Sequence, residues 1–295
     1  MARAAGSGQA HERSEWPERP GAGKHMRSEW PERPGAGNGM SDKVRVEADD
    51  SIRKVTLARP EARNALDPEM LEALAEAFSA EPRPSERVTV LRAEGPVFCA
   101  GLDLKARLSA GAAPLTGESP VEAALRAVET YPLPVVAIVG GDAIAGGCEL
   151  ALHCDFVVAS TRASFGMSLA QIGLAPTWFL AKRLLEVAGP VAAREILLLG
   201  DPLPATQLHA WGVIARVAPP HRLEAECRAV VERLAANAPL SLRAMKALLV
   251  REMEFRDGIE HRDVDRLVDQ ARGSEDAREG MAARMEKRQP DFRGR

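Results

Sequence analysis

The chain has 295 residues, 45 % hydrophobic and 27 % charged, the balance of a globular protein long enough to bury a sizeable core. Its 39 Lys+Arg against 42 Asp+Glu leave a formal charge of −3, which excludes the basic footprint of a nucleic-acid binder or of a protein that docks on anionic lipid. No apolar run approaches the roughly 18–20 residues that span a bilayer, and the N-terminus has no apolar secretory stretch, so a cytoplasmic protein is expected. The four cysteines and six histidines form neither C-x-x-C nor H-E-x-x-H spacings, so reduced thiols and no built-in metal site are expected.

Residues 13–23 read RSEWPERPGAG, and the same letters recur at 27–37. Each copy is rich in proline and glycine and carries one large apolar residue, Trp16 or Trp30, too little to offset the cost of ordering its backbone. Residues 1–39 are therefore expected to form a disordered, duplicated leader, with a Trp-Pro recognition motif as the alternative.

From Ser41 the texture changes. Lys43–Ala48 and Ile52–Ala58 alternate apolar and polar residues around acidic turn material, a hairpin signal. Asp67-Pro68-Glu69 supplies an N-cap, a first-turn proline and an acidic residue ahead of Met70, Leu71, Leu74 and Phe78, which fall on one helical face. Strands are predicted at Val88–Leu91, Val135–Val139, Phe156–Ala159 and Val213–Val217. From about His221 the pattern is helical, with apolar stripes opposite charged faces. The expected class is α/β, with a core over residues 40–220 and a helical region over 221–295.

Two glycine-centred segments follow apolar strands and precede helices: Phe98-Cys99-Ala100-Gly101-Leu102-Asp103-Leu104 and Gly141-Asp142-Ala143-Ile144-Ala145-Gly146-Gly147-Cys148-Glu149-Leu150. A helix start offers N–H groups without internal partners, and glycine lets a ligand approach them, so each is an anion cradle or simply a tight connection. Together they are able to aim two N–H donors at one oxygen, the requirement for holding a thioester enolate. Neither matches a dinucleotide or P-loop pattern.

With those two segments in order, and with LARPEARNAL at 57–66, Ala163–Gly166, LLLGD at 197–201 and SEDAREG at 274–280, the chain resembles the crotonase, or enoyl-CoA hydratase/isomerase, superfamily from about residue 43 onward. The resemblance implies a ββα spiral core, a C-terminal helical oligomerisation region, trimers or hexamers, and an acyl-CoA substrate. Coenzyme A would be part of that substrate, with no metal or redox cofactor. It implies backbone N–H donors at Leu102 and Gly146 and an acid/base at Glu149. Ala62, Arg63, Ala100, Asp103 and Leu104 match positions along the coenzyme A site, and Lys287 a late basic residue that meets a phosphate across a subunit boundary.

The family's hydratases use two glutamates, and Leu169 stands where the second is expected. No Asp or Glu occurs between Arg162 and Lys182, and Trp178-Phe179 replaces a glycine pair, so the acyl pocket is expected to be rebuilt with bulk. Crotonyl-CoA hydration is then expected to be slow unless another group, such as Asp142, supplies the proton. The reading is an acyl-CoA lyase or isomerase working with one glutamate. Its alternatives are a malonyl-type decarboxylase, whose family relatives also lack the second glutamate, and a non-catalytic acyl-CoA-binding homologue. A Cys/His nucleophile at Cys154 and His153 lacks a third orienting group.

Because the leader has the composition of an unpacked segment, a chain begun at Met40 should keep its melting temperature. A drop of more than a few degrees in a thermal scan would show that residues 1–39 pack on the domain.

Overall fold

The computed structural model describes residues 41–106 and 118–295. The expected disorder of residues 1–39 concerns residues outside these. The chain enters as the predicted hairpin, β1 (Val44–Asp49) and β2 (Ile52–Leu57), paired antiparallel with Asp49 opposite Ile52. Helix α1 (Pro68–Ser79) starts where predicted: the Asp67 side chain accepts from the Met70 N–H, and Met70, Leu71, Leu74 and Phe78 are buried. Then follow β3 (Val88–Ala93), α2 (Pro120–Thr130), β4 (Val135–Val139), β5 (Ala143–Ile144), α3 (Gly146–Leu152), β6 (Phe156–Ser160) and β7 (Ser164–Gly166). Helix α4 (Trp178–Arg194), interrupted at Gly189-Pro190, leads to β8 (Leu203–Pro204), α5 (Ala205–Ala210) and β9 (Arg216–Ala218). The remainder is helical: α6 (Leu223–Ala235), α7 (Pro239–Met253), α8 (Arg262–Gly273) and α9 (Glu275–Glu286).

Two sheets form. The larger runs β1-β2-β3-β4-β6-β9, parallel from β2 onward, and the smaller runs β5-β7-β8. After β4 the chain steps from the large sheet to β5 in the small one before entering α3, and it repeats the step from β6 to β7. The preceding turn of chain does the same on a smaller scale, since Cys99 after β3 bridges Ala143 of β5 in parallel. Successive strand-strand-helix units therefore stack as turns of a spiral. Strands buried on both faces read as continuous apolar runs, and β4 is buried at every position.

The strand expected at Val213–Val217 begins later. Val213 and Ile214 are buried in a tight turn, with the Val213 N–H donating to Leu208 O at 2.9 Å, and ladder pairing starts only at Arg216. Apolar character there reports burial without strand geometry. Helix α6 packs on β3, β4, β6 and β9, so the helical region begins by covering the large sheet. Helix α7 is pinned by Lys246, whose buried ammonium donates to Leu133 O at 3.2 Å and to Asp155 Oδ2 at 2.7 Å. Among the described residues no helix is long and apolar enough to cross a membrane.

One buried side chain ties the early loop to the spiral. Asn64, at φ 53°, accepts from the Arg59 N–H and donates to Glu94 O and Val97 O, each at 2.9 Å. It thereby holds the 57–66 loop against the exit of β3, directly ahead of Phe98. Replacing Asn64 with alanine strands two partly buried carbonyls and an N–H, and places a residue without a polar side chain at positive φ. Asn64→Ala should cost about 2–4 kcal/mol, read as a lowered midpoint in denaturant unfolding with an unchanged slope.

Candidate active site

The stacked spiral turns bring the two glycine segments into register. Leu66 N–H donates to Gly101 O at 2.8 Å and Asp103 N–H returns a bond to Leu66 O at 3.0 Å. One layer on, Ile144 N–H donates to Cys99 O at 2.9 Å and Ala145 N–H to Gly166 O at 2.7 Å. Leu102 and Gly146, the expected donors, thus occupy adjacent layers. A Cβ on Gly101 would stand 3.2 Å from the Gly146 nitrogen, and one on Gly146 would stand 3.6 Å from the Leu102 nitrogen. Neither N–H donates to a backbone acceptor among the described residues. Gly146 opens α3, where the first-turn N–H groups have no intrahelical acceptor.

Two glycines allow this approach. Gly101 sits at φ 90°, and its added Cβ would also meet Ile144 O at 2.9 Å. Gly147 lies so close to the first segment that a Cβ would be 2.2 Å from Cys99 O. Ala145, at φ 48° and ψ −118°, makes the turn into α3 in a region that non-glycine residues enter only under constraint. The bond from its N–H to Gly166 supplies part of that constraint.

Glu149 follows Gly146 by three residues on α3, so the two share a helical face. Its carboxyl is buried, and Oε1 has no hydrogen-bond partner among the described residues. Burial pushes its pKa up to about 8; the positive charge of Arg272 opposes the rise and the negative charge of Glu122 adds to it. Glu149 is therefore able to hold a proton at neutral pH and release it without a large change in conditions.

Helix α2 brings Glu122, and the turn into α4 brings Thr177, whose hydroxyl donates to Glu122 Oε1. Glu122, Thr177, Phe179 and Trp178 line a cavity of about 280 Å³ that also meets Asp257 and His261. Trp178 is clamped there, stacked on His261 with centroids 4.4 Å apart and donating from its indole N–H to Arg256 O at 3.2 Å. The bulk expected at Trp178-Phe179 is thus a cavity wall.

The other expected residues distribute as follows. Ala62 ends the short turn Pro60–Ala62, and exposed Arg63 follows it; Ala100 N–H donates to Arg63 O at 3.1 Å, so those two candidates meet through backbone. Asp103 is engaged by Arg59 at 3.0 Å and by the N–H groups of Lys105 and Ala106. Burial raises its pKa, but these bonds outweigh it and leave the carboxyl below its usual range. Leu104 and Leu169 both pack against Ile172, Leu174 and Ala277, so position 169 belongs to apolar packing between the core and α9. Lys287 caps the end of α9, exposed, at φ 55°.

Asp142 is exposed and accepts from Ser164 N–H at 3.0 Å, which makes it a turn cap. Lys182 is paired with Asp257 at 2.8 Å. Burial pushes the Cys154 thiol up to about 12 and lowers His153 to about 3, so neither offers a thiolate or an imidazolium. His153 instead donates from Nδ1 to Glu149 O at 2.7 Å and stacks on Phe179, bracing the helix that carries Glu149. Residue-by-residue reading of the sequence missed Glu122, Thr177 and Arg272. Only Glu122 left a signal there, the Ser119-x-x-Glu122 capping-box spacing, which reports a helix start and nothing about a site.

The sequence profile of the enoyl-CoA hydratase/isomerase family matches residues 47–295. The chain belongs to that family. It is 34 % identical over 262 residues to the carnitinyl-CoA dehydratase of Salmonella arizonae, covering 86 % of this chain and all of the relative. It is 33 % identical over 256 residues to an enoyl-CoA isomerase/hydratase of Mycosarcoma maydis, covering 82 % of this chain and 92 % of the relative. Among solved structures, methylmalonyl-CoA decarboxylase complexed with 2S-carboxypropyl-CoA superposes with a TM-score of 0.80 at 26 % identity, covering 86 % of this chain and 99 % of that one. The ββα spiral is the crotonase fold, and the chain is an acyl-CoA enzyme of this family.

Burial of Glu149 has a pH signature. In the unfolded chain its carboxyl ionises near 4.5, whereas in the fold it holds its proton to about 8. Between those values the folded state binds more protons, so this group lowers stability as pH rises through the window. Glu149→Gln should therefore melt close to wild type near pH 4 and higher than wild type at pH 8, measured by calorimetry at both.

Proposed function

We propose that the protein interconverts acyl-CoA thioesters through an enolate, in a hydration, dehydration or double-bond isomerisation. The thioester oxygen is held by the N–H groups of Leu102 and Gly146, and Glu149 moves the proton at the carbon next to the thioester. The observation that carries this reading is the convergence of two unengaged N–H groups one helical turn from a buried, proton-holding carboxyl. Two fixed donors oppose the charge that develops on the oxygen, which is where such a reaction needs help. Arg63 and Ala100, joined through backbone, would line the coenzyme A portion together with Ala62 and Leu104. The cavity walled by Trp178 would take the acyl group. Lys287 would meet a phosphate of coenzyme A bound to a neighbouring subunit.

The similarity to methylmalonyl-CoA decarboxylase keeps a second reading open, loss of carbon dioxide to the same enolate. That reaction uses the two N–H donors without needing a second carboxylate. The subunits would assemble as trimers or hexamers, because Leu240, Leu248, Leu249, Phe255 and Leu267 remain exposed on the helical region.

Incubation of the full chain with butyryl-CoA in deuterium oxide tests the enolate directly, since proton loss and return at that carbon leaves deuterium in the product. Wild type should exchange, and Glu149→Gln should reduce exchange by roughly 10²–10⁴-fold, the usual worth of an acid/base group. Thioester binding by calorimetry should persist in the variant, because backbone donors are untouched. Release of carbon dioxide from methylmalonyl-CoA, with no exchange, would select the decarboxylase reading.

A further inference from the structure

The family's hydratases place their second glutamate where this chain has Leu169, and that position is packed into an apolar cluster with Leu104, Ile172, Leu174 and Ala277. A carboxylate is nevertheless present beside the cavity, on a different element. We propose that Glu122, carried by α2, is the second acid/base carboxylate of this site and acts on the oxygen at the β-carbon of the acyl chain. This rests on the enolate reading above and deepens it toward hydration and dehydration.

Glu122 has a purely local explanation, which accounts for half of what is seen. Its Oε2 accepts from Ser119 N–H at 3.0 Å and from Ser119 Oγ at 2.9 Å, completing a capping box at the start of α2. A capping box needs neither burial nor a partner on another helix. Here the residue is buried, and its other oxygen is met by the hydroxyl of Thr177, 55 positions along the chain. Thr177 is itself the N-cap residue of α4, yet its side chain makes no cap bond to its own helix. It forgoes the bond that threonine usually makes at that position and turns to Glu122 instead. Both residues line the cavity walled by Trp178 and Phe179. Helix α2 also packs against α3, which carries Glu149, and the charge of Glu122 bears on Glu149.

The chemistry balances with these two groups alone. In hydration, a water oxygen bonds to the β-carbon while Glu122 takes one water proton. The double-bond electrons move onto the thioester oxygen, held by the Leu102 and Gly146 N–H groups. Protonated Glu149 then delivers its proton to the α-carbon as the enolate collapses. Glu122 ends protonated and Glu149 ionised, and exchange with solvent restores both. Dehydration runs the same steps backward, with Glu122 protonating the departing hydroxyl. Leu169 is then free of any acid/base duty.

The test compares two reactions of the full chain. One is deuterium exchange into butyryl-CoA, which has no β-oxygen and requires Glu149 only. The other is hydration of crotonyl-CoA, which requires both carboxylates. Glu122→Gln should retain exchange and lose roughly 10²–10⁴-fold in hydration. Thr177→Val leaves the capping box intact and should shift the pH profile of hydration while leaving that of exchange in place, a readout that a helix cap does not move. Retained hydration in Glu122→Gln overturns the proposal, as does a parallel loss of both reactions in a variant that melts like wild type. Should Glu122→Gln fail to fold, the Thr177→Val pH profile decides, and an unmoved profile overturns it. Wild type that exchanges but does not hydrate also overturns it while leaving the enolate reading standing. Wild type that binds butyryl-CoA without exchanging its proton removes the enolate reading itself, and this one with it.

Discussion

The constraint on which the rest depends is the parallel stacking of successive strand-strand-helix turns at van der Waals distance. Parallel pairing of Cys99 with Ala143 and of β5 with β7 puts equivalent points of consecutive turns in neighbouring layers. The Cys99–Leu102 segment therefore lies against the turn that opens α3, and the Leu102 and Gly146 N–H groups come close together. This requires a backbone separation that a side chain would block, as the 2.2 Å clash of a Cβ on Gly147 with Cys99 O shows. The closeness of these two N–H groups is thus a consequence of how the fold repeats, and the proposed anion-holding role would rest on backbone.

The same stacking explains the state of Glu149. A carboxyl on the first turn of α3 enters a region already enclosed by β5, β6, α2 and α4, and is buried there. Desolvation outweighs the attraction of Arg272, so the group stays protonated well above the usual carboxylate range. In solution a glutamate would be ionised at neutral pH and a poor proton donor. Burial makes it a group able to hold a proton at neutral pH, at a cost in stability over the same pH window.

What was legible in the sequence followed from local rules. The hairpin at β1 and β2, the Asp67 cap, the apolar run of β4 and the two glycine segments each carry their cause within a few residues. The elements they predict stand where expected. Asn64 was visible only as part of a motif; its three bonds reach as far as Val97, and no spacing rule connects those positions. Val213 and Ile214 looked like strand because apolar residues fill a turn as readily as a ladder. Glu122 and Thr177 are 55 positions apart, and their meeting depends on how α2 and the start of α4 are placed by the whole core.

The proposed division between backbone and side-chain chemistry also explains how position 169 is able to carry an apolar residue in this fold. In the proposed reading, holding the thioester oxygen would depend on glycine and on register, both set by the spiral. Proton transfer would instead depend on titratable side chains, and helices α2, α4 and α8 border the cavity or bear on Glu149. At Leu169 the side chain instead joins Ile172, Leu174 and Ala277, which fasten α9 to the core. A carboxylate there would sit among apolar groups with no polar partner in that cluster, a costly burial. Apolar packing at 169 and the acid/base role proposed for Glu122 on α2 are thus compatible, because the two demands fall on different elements of the fold.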